Sequence, residues 1–195
     1  MATRRKRGLS PLAGLLFQAG IVLVGLIPLM VFDIPVAMKG LTISGFLLLG
    51  TLAGLLTYGA LLLLSLMDVL SSDTMKKHIR DLHRFVRSQR WPVLVGLAVL
   101  AGIGEELLFR GVIQGWVGQH LGTVAGILVG AMAFGLAHAM SRAYFLVATA
   151  LGALFGVAYA LTDSLQLVMV WHAVYDLVVI AVLRWYPQLF GLGTS

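Results

Sequence analysis

Residues 91–110 read WPVLVGLAVLAGIGEELLFR, and the fold turns on this stretch. Residues 91–103 carry no charge, and then Glu105, Glu106 and Arg110 follow close together. An ionised carboxylate in apolar surroundings costs several kcal/mol unless it is paired, hydrated or neutralised. Ionisable residues inside a membrane segment are therefore a functional-site hypothesis by default. Glu106 and Arg110 are four apart and can form an ion pair on one helix face. Glu105 is rotated about 100° from Glu106, so the two carboxylates need not share one job.

Composition makes the surroundings a membrane. Of 195 residues 59% are hydrophobic and 11% are charged, against about 25% charged in a soluble domain. Mean hydropathy is +0.97. Six stretches are apolar enough to span: about 11–32, 42–69, 92–119, 123–140, 143–161 and 164–185. A spanning helix needs about 20 such residues. The expectation is an all-α polytopic bundle of about six transmembrane helices, one integral-membrane domain over residues 1–195. The chain has no cysteine, which excludes disulfides, thiolate metal ligands and cysteine nucleophiles. The start, with a basic cluster before an apolar run, reads as an uncleaved first span rather than a signal peptide.

Arg4, Arg5, Lys6 and Arg7 precede the first span, and Lys76, Lys77, Arg80, Arg84, Arg87 and Arg90 lie between the second and third. With Arg142 and Arg184, twelve of the fourteen basic residues fall on one side, leaving Lys39 and Arg110. The positive-inside rule then puts both termini in the cytoplasm. The net charge of +6 points to anionic lipid rather than nucleic acid, because the basic residues flank membrane segments. In residues 72–90, Met75, Ile79, Leu82 and Val86 recur at helical spacing among basic residues. This is the pattern of an amphipathic helix on the cytoplasmic leaflet. Its plain role is a solvated connector, with His78 and His83 as surface histidines; docking of a substrate or regulator is the alternative. Glycine pairs at Gly50/Gly54, Gly111/Gly115 and Gly152/Gly156, and the run Gly122/Gly126/Gly130, allow close helix approach in lipid.

Two further spans carry titratable groups: Phe134 and His138 in the fourth, His172 and Asp176 in the sixth. Glu105 lies seventeen residues before Gly122 and His138 sixteen after it. At about 1.5 Å per residue both are roughly 25 Å from that turn, so the carboxylate and imidazole can meet across a hairpin. His172 and Asp176 lie about 14 and 20 Å from the turn near Asp163. They share a helix face, so Asp176 can accept a hydrogen bond from His172 and fix its tautomer. This constellation permits water activation: a carboxylate in a low-dielectric cavity gains base strength. His138 can share the water, and His172 with Asp176 can meet the developing oxyanion if they present donors.

EExxxR at Glu105 to Arg110, FxxxH at Phe134 to His138 and HxxxD at His172 to Asp176 resemble, in this order, the three motifs of the CPBP intramembrane protease family. That family includes the CAAX prenyl endopeptidase and bacterial Abi-type proteins. The resemblance covers about residues 91–185, the motif-bearing catalytic core. It implies that Glu105 and His138 activate the water and that His172 and Asp176 support the oxyanion. It also implies that Glu106 and Arg110 organise the site. Prenyl endopeptidases have asparagine where Asp176 stands, and aspartate occurs among bacterial members. The resemblance implies a metal-free endopeptidase of the bacterial inner membrane, cutting a peptide bond in or beside a membrane segment. The substrate is a membrane-embedded or membrane-associated peptide, including a C-terminal sorting segment. Two alternatives remain at this point. Glu105, His138 and His172 form a two-histidine, one-carboxylate set that suits zinc. Or the polar cluster is structural glue in a non-catalytic scaffold or immunity protein.

Overall fold

The computed structural model describes residues 10–66 and 73–192. The basic cluster Arg4, Arg5, Lys6 and Arg7, the last residues of the expected second span (67–69) and Ser72 lie outside the described residues. The chain runs α1 (Pro11–Val31), α2 (Ile43–Leu66), α3 (Asp73–Ser88) and α4 (Trp91–Glu106). A π-helical stretch (Leu107–Gln114) carries α4 without a break into α5 (Gly115–Leu121). Then come α6 (Thr123–Ala137), α7 (Arg142–Thr162), α8 (Leu165–Trp185) and a short 3-10 turn (Pro187–Phe190).

Five helices are long and apolar enough to cross a membrane: α1, α2, the continuous Trp91–Leu121, α7 and α8. The expected fourth span is shorter than its apolar run. α6 has 15 residues, or about 22 Å, against a hydrocarbon core of about 30 Å. It stops at Ala137 because His138 leaves helical geometry (φ −107°, ψ 14°) and its Nδ1–H donates to Phe134 O at 2.8 Å. That bond satisfies one of the carbonyls a helix end leaves open. The side chains are sorted as a membrane requires: Met30 is 82% exposed on α1, while Arg110 is 0% exposed inside.

α8 sits at the centre, packed against α2 and α4, while α6 pairs with α7 and α1 lies along α4. Close backbone approach sets this arrangement. A Cβ on Gly102 would stand 2.7 Å from Met169 O, so α4 meets α8 only because position 102 has no side chain. Trp171 on α8 donates Nε1–H to Thr57 Oγ1 on α2 at 2.9 Å. Around it pack Phe155, Tyr159, Leu165 and Val168. The glycine run after α5 divides its work. Gly126 faces Gln114 O at 2.5 Å from its would-be Cβ, whereas Gly122 has nothing near it and takes φ +89°. Gly122 is thus the turn residue rather than a packing position, since only glycine adopts that φ without strain.

At the other end, the loop before α2 is tied to the α7–α8 turn. Leu165 N–H donates to Ala37 O at 3.0 Å and Gly40 N–H to Asp163 O at 3.1 Å. α3 forms as expected but is more than a connector. Val86 is 0% exposed, and Arg184 Nη1 donates to Val86 O and Gln89 O, both at 2.8 Å. His83 corrects the surface expectation: it is buried and donates Nδ1–H to Leu183 O at 2.9 Å. α3 is therefore fixed to the end of α8. On its solvent face Arg84 pairs with Asp81 and holds the Asp81 carboxyl below the usual carboxylate range.

Candidate active site

Glu105 and Glu106 end α4, Arg110 lies on the π-helical stretch, Phe134 and His138 close α6, and His172 and Asp176 lie on α8. All seven meet in one cluster. A π-helix is a local widening of the helical register, found most often at functional sites. Here it follows the two glutamates directly, and no residue type in 107–114 announces it.

Arg110 and Glu106 are both 0% exposed and pair through Nη1 and Oε1 at 3.0 Å. Arg110 also donates Nη2–H to Gly152 O at 3.1 Å. Its guanidinium lies 4.5 Å from the Phe134 ring centroid and 5.1 Å from that of Phe155. These are cation–π distances, which lower the cost of burying the charge. Phe134 thus belongs to the site by holding Arg110. Phe155 on α7 was not singled out in the sequence, and Gly152 was read only as a packing glycine, not as a partner of Arg110. A backbone carbonyl leaves no trace there, and Phe155 reads as ordinary core.

His172 is oriented by Glu106 rather than by Asp176. Its Nδ1–H donates to Glu106 Oε1 at 2.7 Å, and its ring stacks on Phe155 at 5.5 Å. Asp176 Oδ2 stands 3.7 Å from His172 Nε2, too far for a hydrogen bond. The expectation that Asp176 fixes the tautomer is thereby corrected. Glu106 wins because its Oε1, already anchored by Arg110, meets the ring at hydrogen-bond distance. Nε2 of His172 is left facing Glu105 Oε2 at 4.0 Å and Asp176 Oδ2 at 3.7 Å.

Glu105 and His138 meet as depth counting predicts, with Nε2 and Oε2 3.5 Å apart. Because Nδ1–H of His138 is committed to Phe134 O, the neutral ring presents a lone pair at Nε2. Glu105 Oε2 is buried without a hydrogen-bond partner among the described residues. Two acceptors therefore face each other across a gap. Among the described residues no three histidine, aspartate or glutamate side chains are grouped to hold a metal ion.

Residues 87–178 match the family model described as type II CAAX prenyl endopeptidase Rce1-like. No curated protein and no solved structure matches the chain. The match runs through the EExxxR, FxxxH and HxxxD motifs and ends two residues beyond Asp176. The protein is multi-pass in its membrane, and the region holding all seven clustered residues is similar to the type II CAAX prenyl endopeptidases, which supports a membrane protease of the CPBP kind.

Proposed function

We propose that this protein is a glutamate-dependent intramembrane endopeptidase. The observation that supports it best is the pair of facing acceptors, Glu105 Oε2 and His138 Nε2, 3.5 Å apart. A water seated beside the pair, within reach of both, donates one hydrogen to each and aims a lone pair outward at a peptide carbonyl carbon. Glu105 takes a proton as the water oxygen bonds to that carbon, and the carbonyl becomes an oxyanion. His172, held at Nδ1 by Glu106, presents Nε2 to the same cavity and in its imidazolium form donates to the oxyanion. When the C–N bond breaks, the proton held by Glu105 passes to the leaving amine, directly or through His138. General acid–base assistance of this kind is worth about 10²- to 10⁴-fold in rate.

Arg110 supports this chemistry at one remove. By neutralising Glu106 it leaves Glu105 as the carboxylate free to act as base. Asp176 takes a place beside His172 that suits contact with the oxyanion when protonated, or with the imidazolium when ionised. The reading needs no metal; activity of the purified protein should survive full chelation, and loss restored by zinc would overturn that point. The basic residues of α3, with those before α1, support placing both termini and α3 on the cytoplasmic side of a bacterial inner membrane. Anionic lipid is the partner there and a membrane peptide is the substrate.

The test compares membrane peptidomes of cells carrying wild-type protein or Glu105→Gln. Cleavage products present with wild type should vanish with the variant, while its abundance and melting temperature stay unchanged. Full activity of Glu105→Gln would refute the mechanism.

A further inference from the structure

Two cavities have α3 as a wall, one lined by Asp176 and the other lying close to His138. The larger, about 930 Å³, lies between α3 and the α6–α7 turn, with Met75, Ile79, Leu82 and Phe85 on one side and Met140 and Tyr144 on the other. Its inner end lies near His138: the Tyr144 ring on its wall is 6.4 Å from the His138 ring. The smaller, about 250 Å³, is bounded by Leu82 and Phe85 of α3, Phe17 and Gln18 of α1, Ala98 of α4 and Asp176 of α8. Leu82 and Phe85 thus stand between a broad groove ending near His138 and a narrow pocket ending at Asp176.

The chemistry of the two spaces identifies their occupant. A clef of about 300–1,000 Å³ takes a small ligand, so the larger holds a short peptide stretch and the smaller a single side chain. The narrow pocket is almost wholly apolar. Its polar groups are the Asp176 carboxylate and the Gln18 amide, whose Oε1 is buried without a partner among the described residues. Acceptors at the edge of an apolar pocket suit an extended peptide, which brings backbone N–H donors together with an apolar side chain. An acyl chain offers no donor. Residues 75–85 lie outside the stretch matched to the family model, residues 87–178. The α3 wall is also fixed, through Arg184 and His83.

Resting on the endopeptidase reading, we propose that α3 is the specificity wall of the active site. The narrow pocket takes one bulky apolar side chain, of leucine, methionine or phenylalanine size, from the substrate residue beside the scissile bond. The substrate's neighbouring residues run along the groove between α3 and the α6–α7 turn.

The experiment uses the full chain in nanodiscs and a synthetic peptide library varied at each position. Cleavage sites are mapped by mass spectrometry, and peptides retained by Glu105→Gln are sequenced in parallel. Wild-type sites and retained peptides should share leucine, methionine or phenylalanine at one position. Ala98→Leu fills the pocket and should shift that position to alanine or glycine, with kcat/KM for leucine peptides falling about 10- to 200-fold. Leu82→Ala alters a half-exposed residue and should widen the preference to tryptophan, which keeps the test valid if Ala98→Leu fails to fold. Retained or cleaved peptides with no apolar position, no retention at all, or the same profile in Leu82→Ala would overturn the proposal. Retention abolished by anionic phospholipid regardless of sequence would assign the groove to lipid and overturn it too. Selective retention without any wild-type cleavage would uphold the pocket and sink the endopeptidase reading, so the two fail separately.

Discussion

Replacing Arg110 with methionine should destabilise the protein and silence it, and the two effects should separate on repair. Arg110 is 0% exposed and bonds both Glu106 Oε1 and Gly152 O. Arg110→Met leaves Glu106 buried, with His172 as its remaining partner. Its Oε2 already lacks one among the described residues. Stranding one member of a buried ion pair costs about 3–5 kcal/mol. For a chain of this length that corresponds to a fall in melting temperature of about 6–20 °C. Adding Glu106→Leu removes the stranded charge and should recover most of the loss, because an apolar pair of similar volume is often as stable as a buried ion pair. Activity should not return, since His172 has then lost the acceptor at 2.7 Å that orients it. The assays are thermal unfolding in detergent and peptide cleavage on the same samples. If Arg110→Met melts within 2 °C (roughly 1 kcal/mol or less) of wild type, the pair is not holding the helices. If the double variant regains activity, Glu106 does not act through His172.

Other substitutions probe each group in turn. His138→Ala should lower kcat/KM by about 10²- to 10⁴-fold with an unchanged melting temperature, since its side chain is partly exposed; a change under tenfold would remove it from water activation. Asp176→Asn should retain activity within about tenfold, because no hydrogen bond ties the carboxylate to His172 and asparagine can donate to an oxyanion, whereas Asp176→Ala should lose about 10²-fold or more. Equal loss in both would mean that the charge itself is needed. Arg184→Ala removes the bonds to Val86 O and Gln89 O and should make α3 about tenfold more sensitive to trypsin at Lys76 and Arg80. An unchanged digestion rate would show that α3 is held by Val86 and His83 alone.

The parts of the site that were legible in the sequence are those where chain length acts as a ruler. Glu105 and His138 are nearly equidistant from Gly122 on two helices joined by a tight turn, so counting residues sets their depths and leaves little else to vary. His172 is a different case. It reaches the site on α8, after α7, and residue counts fix neither the rotation of α8 about its axis nor its tilt. The nearest acceptor by sequence was Asp176, one turn along the same helix. The acceptor in space is Glu106, because small residues such as Gly102 let α4 and α8 approach closely enough for a short side chain to bridge them. The Glu106–Arg110 pair was legible from its spacing of four, whereas the Phe134 and Phe155 rings that flank the guanidinium come from other helices and were not. Two adjacent and chemically identical carboxylates therefore acquire different partners. The one that meets a buried cation becomes a fixed anchor for an imidazole. The other, whose Oε2 faces His138 Nε2 instead of a cation, is the carboxylate proposed as the general base.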